Sequence, residues 1–190
     1  MIYGKQVRLR PIEVEDLEDI NAINDDPVVR SQVVGWAWPN SMADQRAWFS
    51  TVRSDSTQRW VILDDEDRII GLTGLWDVDL RNRNALSAIK LGGRHEMRGR
   101  GLAVDIMMTV QAFAYYDLGI QRIYGSILEG NDASIKAFRD KCGFIVEGVS
   151  RKHVFRHGEF VDLIQLGGIK DEWDKMPDAQ DYIDLIKRGR

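Results

Sequence analysis

The sequence predicts a mixed α/β fold: one central sheet with helices on both of its faces. Three observations predict it. Short apolar runs of strand length recur along the chain, apolar runs of helical period alternate with them, and a glycine turn joins one of each. The turn is Glu96-Met97-Arg98-Gly99-Arg100-Gly101-Leu102-Ala103. A β-like run, Ser87 to Leu91, precedes it, and an apolar-periodic run, Leu102 to Leu118, follows it. A strand–turn–helix junction of this kind leaves backbone N–H groups unpaired at a helix N-terminus, where the helix dipole adds partial positive charge. Glycines allow close approach to the backbone, and the arginines add full charge. The stretch suits a phosphate or pyrophosphate.

The other elements follow in order. Val7-Arg8-Leu9-Arg10 alternates as an opening strand does, and Pro11 ends it. Val14 to Ile23 reads as a helix, broken by Asp25-Asp26-Pro27, and Val33 to Pro39 reads as a loop carrying Trp36 and Trp38. Ser41, with Asp44 three residues on, is a variant capping box that starts a second helix, expected to reach about Val52. Trp60 to Leu63 and Ile69 to Leu75 flank the acidic turn Asp64-Asp65-Glu66-Asp67, a hairpin with a solvated tip. Asp77 to Asn84 is a polar loop. After the glycine turn and its helix come a strand, Arg122 to Leu128, and a short helix, Asn131 to Lys141, closed by Gly143 as a C-cap. Strands at Phe144 to Val149 and Val161 to Leu166 follow, with a turn at His157-Gly158-Glu159. The tail from Lys170 reads as helical, with Tyr182, Ile183, Leu185 and Ile186 forming a docking stripe that would suit a homodimer.

Composition narrows the function classes. At 190 residues, one domain is the default, with 1–168 as its body and 169–190 as a helical extension. Hydrophobic residues at 44% and charged residues at 29% suit a globular protein. A net charge of −4 argues against a general nucleic-acid binder and favours a cationic or amine-bearing substrate. The single cysteine, Cys142, excludes an internal disulfide and, with no partner base in reach, reads as structural. No apolar run reaches the roughly 18 residues of a membrane span, and the first residues lack the apolar stretch of a signal peptide, so a cytoplasmic location is expected. His95, His153 and His157 show no zinc-ligand spacing, and no metal is expected.

The order of elements, with the motifs that fill it, resembles the GNAT superfamily of acyl-CoA-dependent N-acyltransferases. The pair of motifs carries the resemblance: Arg98-Gly99-Arg100-Gly101-Leu102-Ala103, then Asn131, Ala133, Ser134, Ala137, Phe138 and Cys142-Gly143-Phe144 about thirty residues on. The ending, Glu147-Gly148 through Asp162, is similar to the subgroup of ribosomal-protein N-terminal and spermidine or amino-sugar N-acetyltransferases. The resemblance implies a mostly antiparallel mixed sheet of about seven strands, splayed beside the glycine turn. It implies acetyl-CoA as acyl donor, with backbone amides from Arg98 to Ala103 on the pyrophosphate and Leu91, Gly92 and Gly93 along the pantetheine arm. Asn131 would hold pantetheine as well as cap its helix, with Ser134 and Lys136 towards the phosphates and Phe138 packing alongside. The acceptor would be the primary amine of a small molecule, such as an amino sugar or polyamine, or a protein N-terminus.

Acyl transfer to an amine needs loss of an amine proton, a donor for the oxyanion and a partner for the leaving thiolate. Where many relatives carry a tyrosine that protonates the thiolate, this chain has Phe138, leaving Ser134 or water for that role. Where a glutamate often stands, it has Ala88, so a base must come from elsewhere. Asp77 and Glu129 are the candidate bases, with Asp79 and Asp162 further carboxylates in the region and Asp162 assigned to the acceptor. Trp36 and Trp38 are either half-buried core or an aromatic lining that holds the amine by cation–π contact. The two missing groups also fit a second reading, a non-catalytic acyl-CoA sensor or partner-binding module.

Overall fold

The computed structural model describes residues 1–34, 40–51, 54–92 and 99–188. Trp36, Trp38, Gly93, His95, Glu96 and Arg98 lie outside the described residues. The chain opens with β1 (Ile2–Tyr3), β2 (Arg8–Pro11), a 3-10 turn (Val14–Asp16), α1 (Leu17–Asp25), α2 (Pro27–Gln32) and α3 (Met42–Phe49). The meander β3 (Gln58–Leu63), β4 (Ile69–Asp79), β5 (Asn84–Leu91) follows, then α4 (Leu102–Tyr116), β6 (Arg122–Leu128) and α5 (Asp132–Lys141). The hairpin β7 (Ile145–Arg156), β8 (Glu159–Ile169) and the helices α6 (Lys170–Trp173) and α7 (Ala179–Arg188) complete it.

All the described strands join one sheet in the order β1-β2-β3-β4-β5-β6-β8-β7. Every pairing is antiparallel except β5 with β6. The mixed, mostly antiparallel sheet is therefore as expected, with eight strands: the addition is β1, whose Ile2 pairs with Leu9. The apolar side chains divide between the sheet's two faces. Val61 and Leu63 bury with Leu17 and Ile20 under α1 and α3, whereas Trp60 and Ile62 bury with Ile106, Val110 and Trp173 on the face of α4 and α7.

Local chemistry sets the elements. Ser41 caps α3 by accepting from the Asp44 amide while the Asp44 carboxylate accepts from the Ser41 amide, the reciprocal box the sequence predicts. Asp25-Asp26-Pro27 ends α1 but also starts α2: Asp26 accepts from the Val28 and Val29 amides, and Pro27 occupies the first turn. An Asp N-cap followed by proline is a start signal as much as a stop signal, and the sequence reading took only the stop. The last hairpin extends beyond its predicted ends because His157 and Gly158 both take positive φ, the geometry of a two-residue turn between twisted strands.

Two expectations are corrected. The turn after β3 is not uniformly solvated, because Asp64 is buried, accepting from the Glu66 and Arg68 amides and the Arg68 guanidinium. The tail stripe is not a subunit surface either. Tyr182, Ile183 and Ile186 are buried in the chain's own core, packed where α7 crosses α4.

Candidate active site

The site begins where the sheet fails to close. β5 and β6 pair only at Asn84–Arg122, Ala85–Ile123 and Leu86–Tyr124. Beyond that, β5 continues along β4 to Leu91 and β6 continues along β8 to Leu128. The strands diverge because each keeps its outer antiparallel partner. Gly125 stands at the fork, where a side chain would meet the Ser87 carbonyl oxygen at 2.7 Å. A glycine in the middle of a strand marks such a close backbone approach.

The fork opens a cavity of about 580 Å³ that passes through the sheet. On the α4–α5 side it is lined by Ala103, Met107, Asn131, Ser134, Phe138 and Phe144. On the opposite side it is lined by Asn24, Gln45, Trp48, Arg59, Trp76 and Lys90. Ser87 to Leu91 border it throughout.

The α4 end is built for an anion. Gly101 occupies the N-cap with φ 77°, no side chain caps the helix, and Gly99 shares the same positive φ. Among the described residues, a side chain added at Gly99 or Gly101 would meet nothing within 4 Å, so the backbone there is open to approach. A 15-residue helix ending in uncapped amides at such a turn fits a diphosphate. Leu102 is buried and holds the turn to the core, while Arg100 is exposed beside it. Asn131 caps α5, its Oδ1 accepting from the Ser134 amide at 3.4 Å. No hydrogen bond among the described residues uses its side-chain NH2 group, and that donor can serve a ligand. The Phe138 ring lies 5.8 Å from that of Phe144 and packs rather than reacts. Lys136 is exposed on α5 and outside the cavity lining.

The antiparallel ladder decides what β5 offers. The Gly92 amide donates to the Ile70 carbonyl at 2.8 Å. By the alternation of such ladders, Leu91 and Ile89 turn their backbone groups away from β4, towards the fork. The backbone of Leu91 is therefore left unused by the β4 ladder, whereas the N–H of Gly92 is already used within the sheet.

The carboxylates expected as bases are not brought together. Asp77 is exposed at a bulge of β4 with φ 49°. Glu129 is exposed beyond β6 and accepts from the Asp162 amide at 3.4 Å. The Asp162 carboxylate accepts from the Lys152 amide at 2.7 Å, fastening the bulge in β7. None of the three lines the cavity, while Ser134 does. Cys142 is buried, its thiol pushed up to about 12 by burial, which makes it inert as expected.

Sequence reading missed the far wall. Arg59 lies over two indole rings, its guanidinium carbon 5.3 Å from the centre of Trp48 and 5.8 Å from that of Trp76. Lys90 donates to Asn24 Oδ1 at 2.7 Å. Burial, and secondarily the charge of Arg59, holds the Lys90 ammonium below its ordinary pKa. Arg59 is likewise lowered by burial. The signal was present in the alternation of Arg59-Trp60-Val61, which puts Arg59 on the sheet face opposite Trp60.

A mixed sheet opened at its one parallel pair, beside an uncapped glycine turn and helix, defines the class: an acyltransferase whose donor is a CoA thioester. Residues 6–145 match the model of the acetyltransferase (GNAT) domain. This chain belongs to that family, and its acyl donor is acetyl-CoA. It is 26% identical over 171 residues to the SPbeta prophage-derived N-acetyltransferase YokL of Bacillus subtilis, covering 90% of this chain and 94% of that protein. It is 22% identical to the spermidine N(1)-acetyltransferase of Vibrio cholerae, covering 84% of this chain and 91% of that one. The crystal structure of spermidine N-acetyltransferase from Vibrio cholerae in complex with CoA and spermine superposes with a TM-score of 0.81 at 21% identity, over 90% of this chain and 99% of that one. Among the described residues no cluster of metal-ligating side chains occurs, and no helix is long and apolar enough to cross a membrane.

Proposed function

We propose that this protein transfers the acetyl group of acetyl-CoA directly to the primary amine of a small molecule. The observation that carries the reading is the cavity that runs through the fork from the α4–α5 side to the wall made by α1, α2 and α3. Donor and acceptor can enter from opposite faces and meet between β5 and β6. Walls contributed by Asn24, Val29, Val33, Gln45 and Trp48 give the acceptor side a pocket rather than a long surface groove. The relatives named as spermidine N-acetyltransferases support a small amine as acceptor.

In this reading the amides of Gly99 to Ala103, with Arg100 beside them, hold the diphosphate. The backbone of Leu91 and the side-chain amide of Asn131 hold the arm that carries the thioester. Ser134 offers its hydroxyl to the departing sulfur, since Phe138 has no proton to give. The acceptor nitrogen forms the new C–N bond, the C–S bond breaks, and one amine proton must leave. No carboxylate lines the described cavity, so that proton passes to water. Arg59 and Lys90 favour the step, because neighbouring positive charge and desolvation both lower an amine's pKa.

The test is release of free thiol from acetyl-CoA over a panel of amines, with mass spectrometry of the product. Acetylation at nitrogen is expected. Tight binding of acetyl-CoA with no amine-dependent thiol release would overturn the reading in favour of a sensor.

A further inference from the structure

We infer that the acceptor molecule carries an anionic group, a carboxylate or a phosphate, which docks on Arg59 while its amine faces the fork. The inference rests on the proposed acetyl transfer and names the substrate class of that site.

Four observations lead to it. First, the acceptor wall carries two cationic side chains, Arg59 and Lys90, and among the described residues that line the cavity there is no aspartate or glutamate. Second, no ion pair or side-chain hydrogen bond links Arg59 to any described residue. Trp48 and Trp76 hold it by their ring faces, which fixes the guanidinium in place without neutralising it. A planar guanidinium held this way presents its N–H groups as a fork matched to a carboxylate or phosphate.

Third, Gln45 is 2% exposed, lines the same cavity, and its Nε2 has no hydrogen-bond partner among the described residues. It lies three residues before Trp48 on α3, so the two share a helix face. A buried donor left unpaired is costly, so such a group calls for an acceptor. An anion's oxygen beside Arg59 is the acceptor it lacks. Fourth, the contrast with a polyamine is one of sign. A polycation brought to this wall meets Arg59 and Lys90, and like charges a few ångströms apart repel strongly in a partly desolvated site. The chain's net charge of −4 gives no hint of this, because the negative charge lies outside the cavity.

The experiment compares matched amines that differ only in the anion, with acetyl-CoA as donor: L-phenylalanine against phenethylamine, and glucosamine 6-phosphate against glucosamine, with spermidine alongside. At least one anionic member is expected to exceed its neutral counterpart in kcat/KM by about tenfold to a hundredfold, the range of a charge-assisted hydrogen-bonded pair. The pair that shows the effect tells carboxylate from phosphate. Arg59→Gln should collapse that ratio towards one, and Arg59→Lys should restore part of it. Acetyl-CoA affinity in each variant, read by calorimetry, checks that the fold is intact.

Preference for spermidine or for the neutral amines overturns the inference while leaving acetyl transfer standing. An equal loss for both members of a pair in Arg59→Gln overturns it too. Should no amine be turned over, binding still decides. Trp48 and Trp76 flank Arg59, so tryptophan fluorescence with CoA present reports the anionic amines directly, and a response no larger than that of phenethylamine or glucosamine sinks the inference.

Discussion

The hydroxyl of Tyr182 donates a 2.7 Å hydrogen bond to the carboxylate of Asp105, tying α7 to α4 inside the core. Asp105 is 2% exposed and also accepts from the Lys5 amide at 2.9 Å and the Gln6 amide at 2.7 Å. One carboxylate thus joins the first strands, the central helix and the last helix. It lies in the first turn of α4, four residues after Gly101, so the same group steadies the helix start proposed to hold the diphosphate. Burial, then the hydrogen bond to Asp105, holds the Tyr182 phenol protonated well above its ordinary range.

Tyr182→Phe removes one of three donors from a buried carboxylate. It is expected to lower stability by about 1–3 kcal/mol. Asp105→Ala should cost more, because it leaves three donors without an acceptor. Urea unfolding checks both: the midpoint should fall with the slope unchanged. A Tyr182→Phe midpoint within error of the parent's would remove the link between α7 and the site.

Gly99→Asp should weaken acetyl-CoA binding at least tenfold with little effect on the fold. Among the described residues nothing lies within 4 Å of a Cβ at this position, and Asp tolerates positive φ better than most residues. Its negative charge, however, would face the diphosphate. Calorimetry gives the affinity and thermal unfolding gives the fold. Equal affinity in the variant would move the diphosphate elsewhere.

The local structure proposed to hold the donor was legible because its signals are local. Gly101 at an N-cap, Asn131 capping α5 and Gly143 with φ 69° closing it are each set by residues within a turn of one another. The acceptor half was illegible for the opposite reason. Arg59, Trp48, Trp76 and Lys90 come from β3, α3, β4 and β5, and only strand pairing and helix packing bring them together. The missed α2 shows a different limit: Asp26-Pro27 carries stop and start signals in the same residues. Asp77 and Glu129 have a suitable charge and place along the chain, but the bulge of β4 at Asp77 and the end of β6 just before Glu129, which leave both exposed, are not visible at that level.

Asp16 makes one contribution to acid sensitivity: it is buried and accepts from the Arg10 guanidinium at 2.7 and 2.8 Å and from the Glu13 amide at 2.8 Å. Burial alone would raise its pKa. The Arg10 pair and the Glu13 amide outweigh it and hold the carboxyl below its ordinary value. A depressed folded-state pKa means stability that is fully present above the unfolded value of about 3.9 and is lost as pH falls through the folded value. Asp16→Asn is therefore expected to be less stable than the parent at pH 7, by about 1–3 kcal/mol. The gap should close as pH falls through the parent's depressed folded-state value and its own carboxyl takes up a proton. Urea midpoints from pH 7 to pH 2 trace it, and a gap constant across that range would refute the role of the charged pair.

Asn131 has two ends with two jobs, and two substitutions separate them. Its Oδ1 caps α5 by accepting from the Ser134 amide, while its NH2 group is the donor proposed for the arm of acetyl-CoA. Asn131→Asp keeps the capping oxygen and adds a negative charge at a helix N-terminus, which the dipole favours. Thermal stability should hold or rise slightly, yet acetyl-CoA affinity should fall about tenfold, because a donor has become an acceptor. Asn131→Ala loses both functions and should cost about 1 kcal/mol of stability as well as the affinity. If Asn131 were a cap alone, Asn131→Asp would bind acetyl-CoA as the parent does. Affinity that follows stability across the two variants would therefore strip Asn131 of any part in binding, and affinity that departs from it in Asn131→Asp would assign the NH2 group to the ligand.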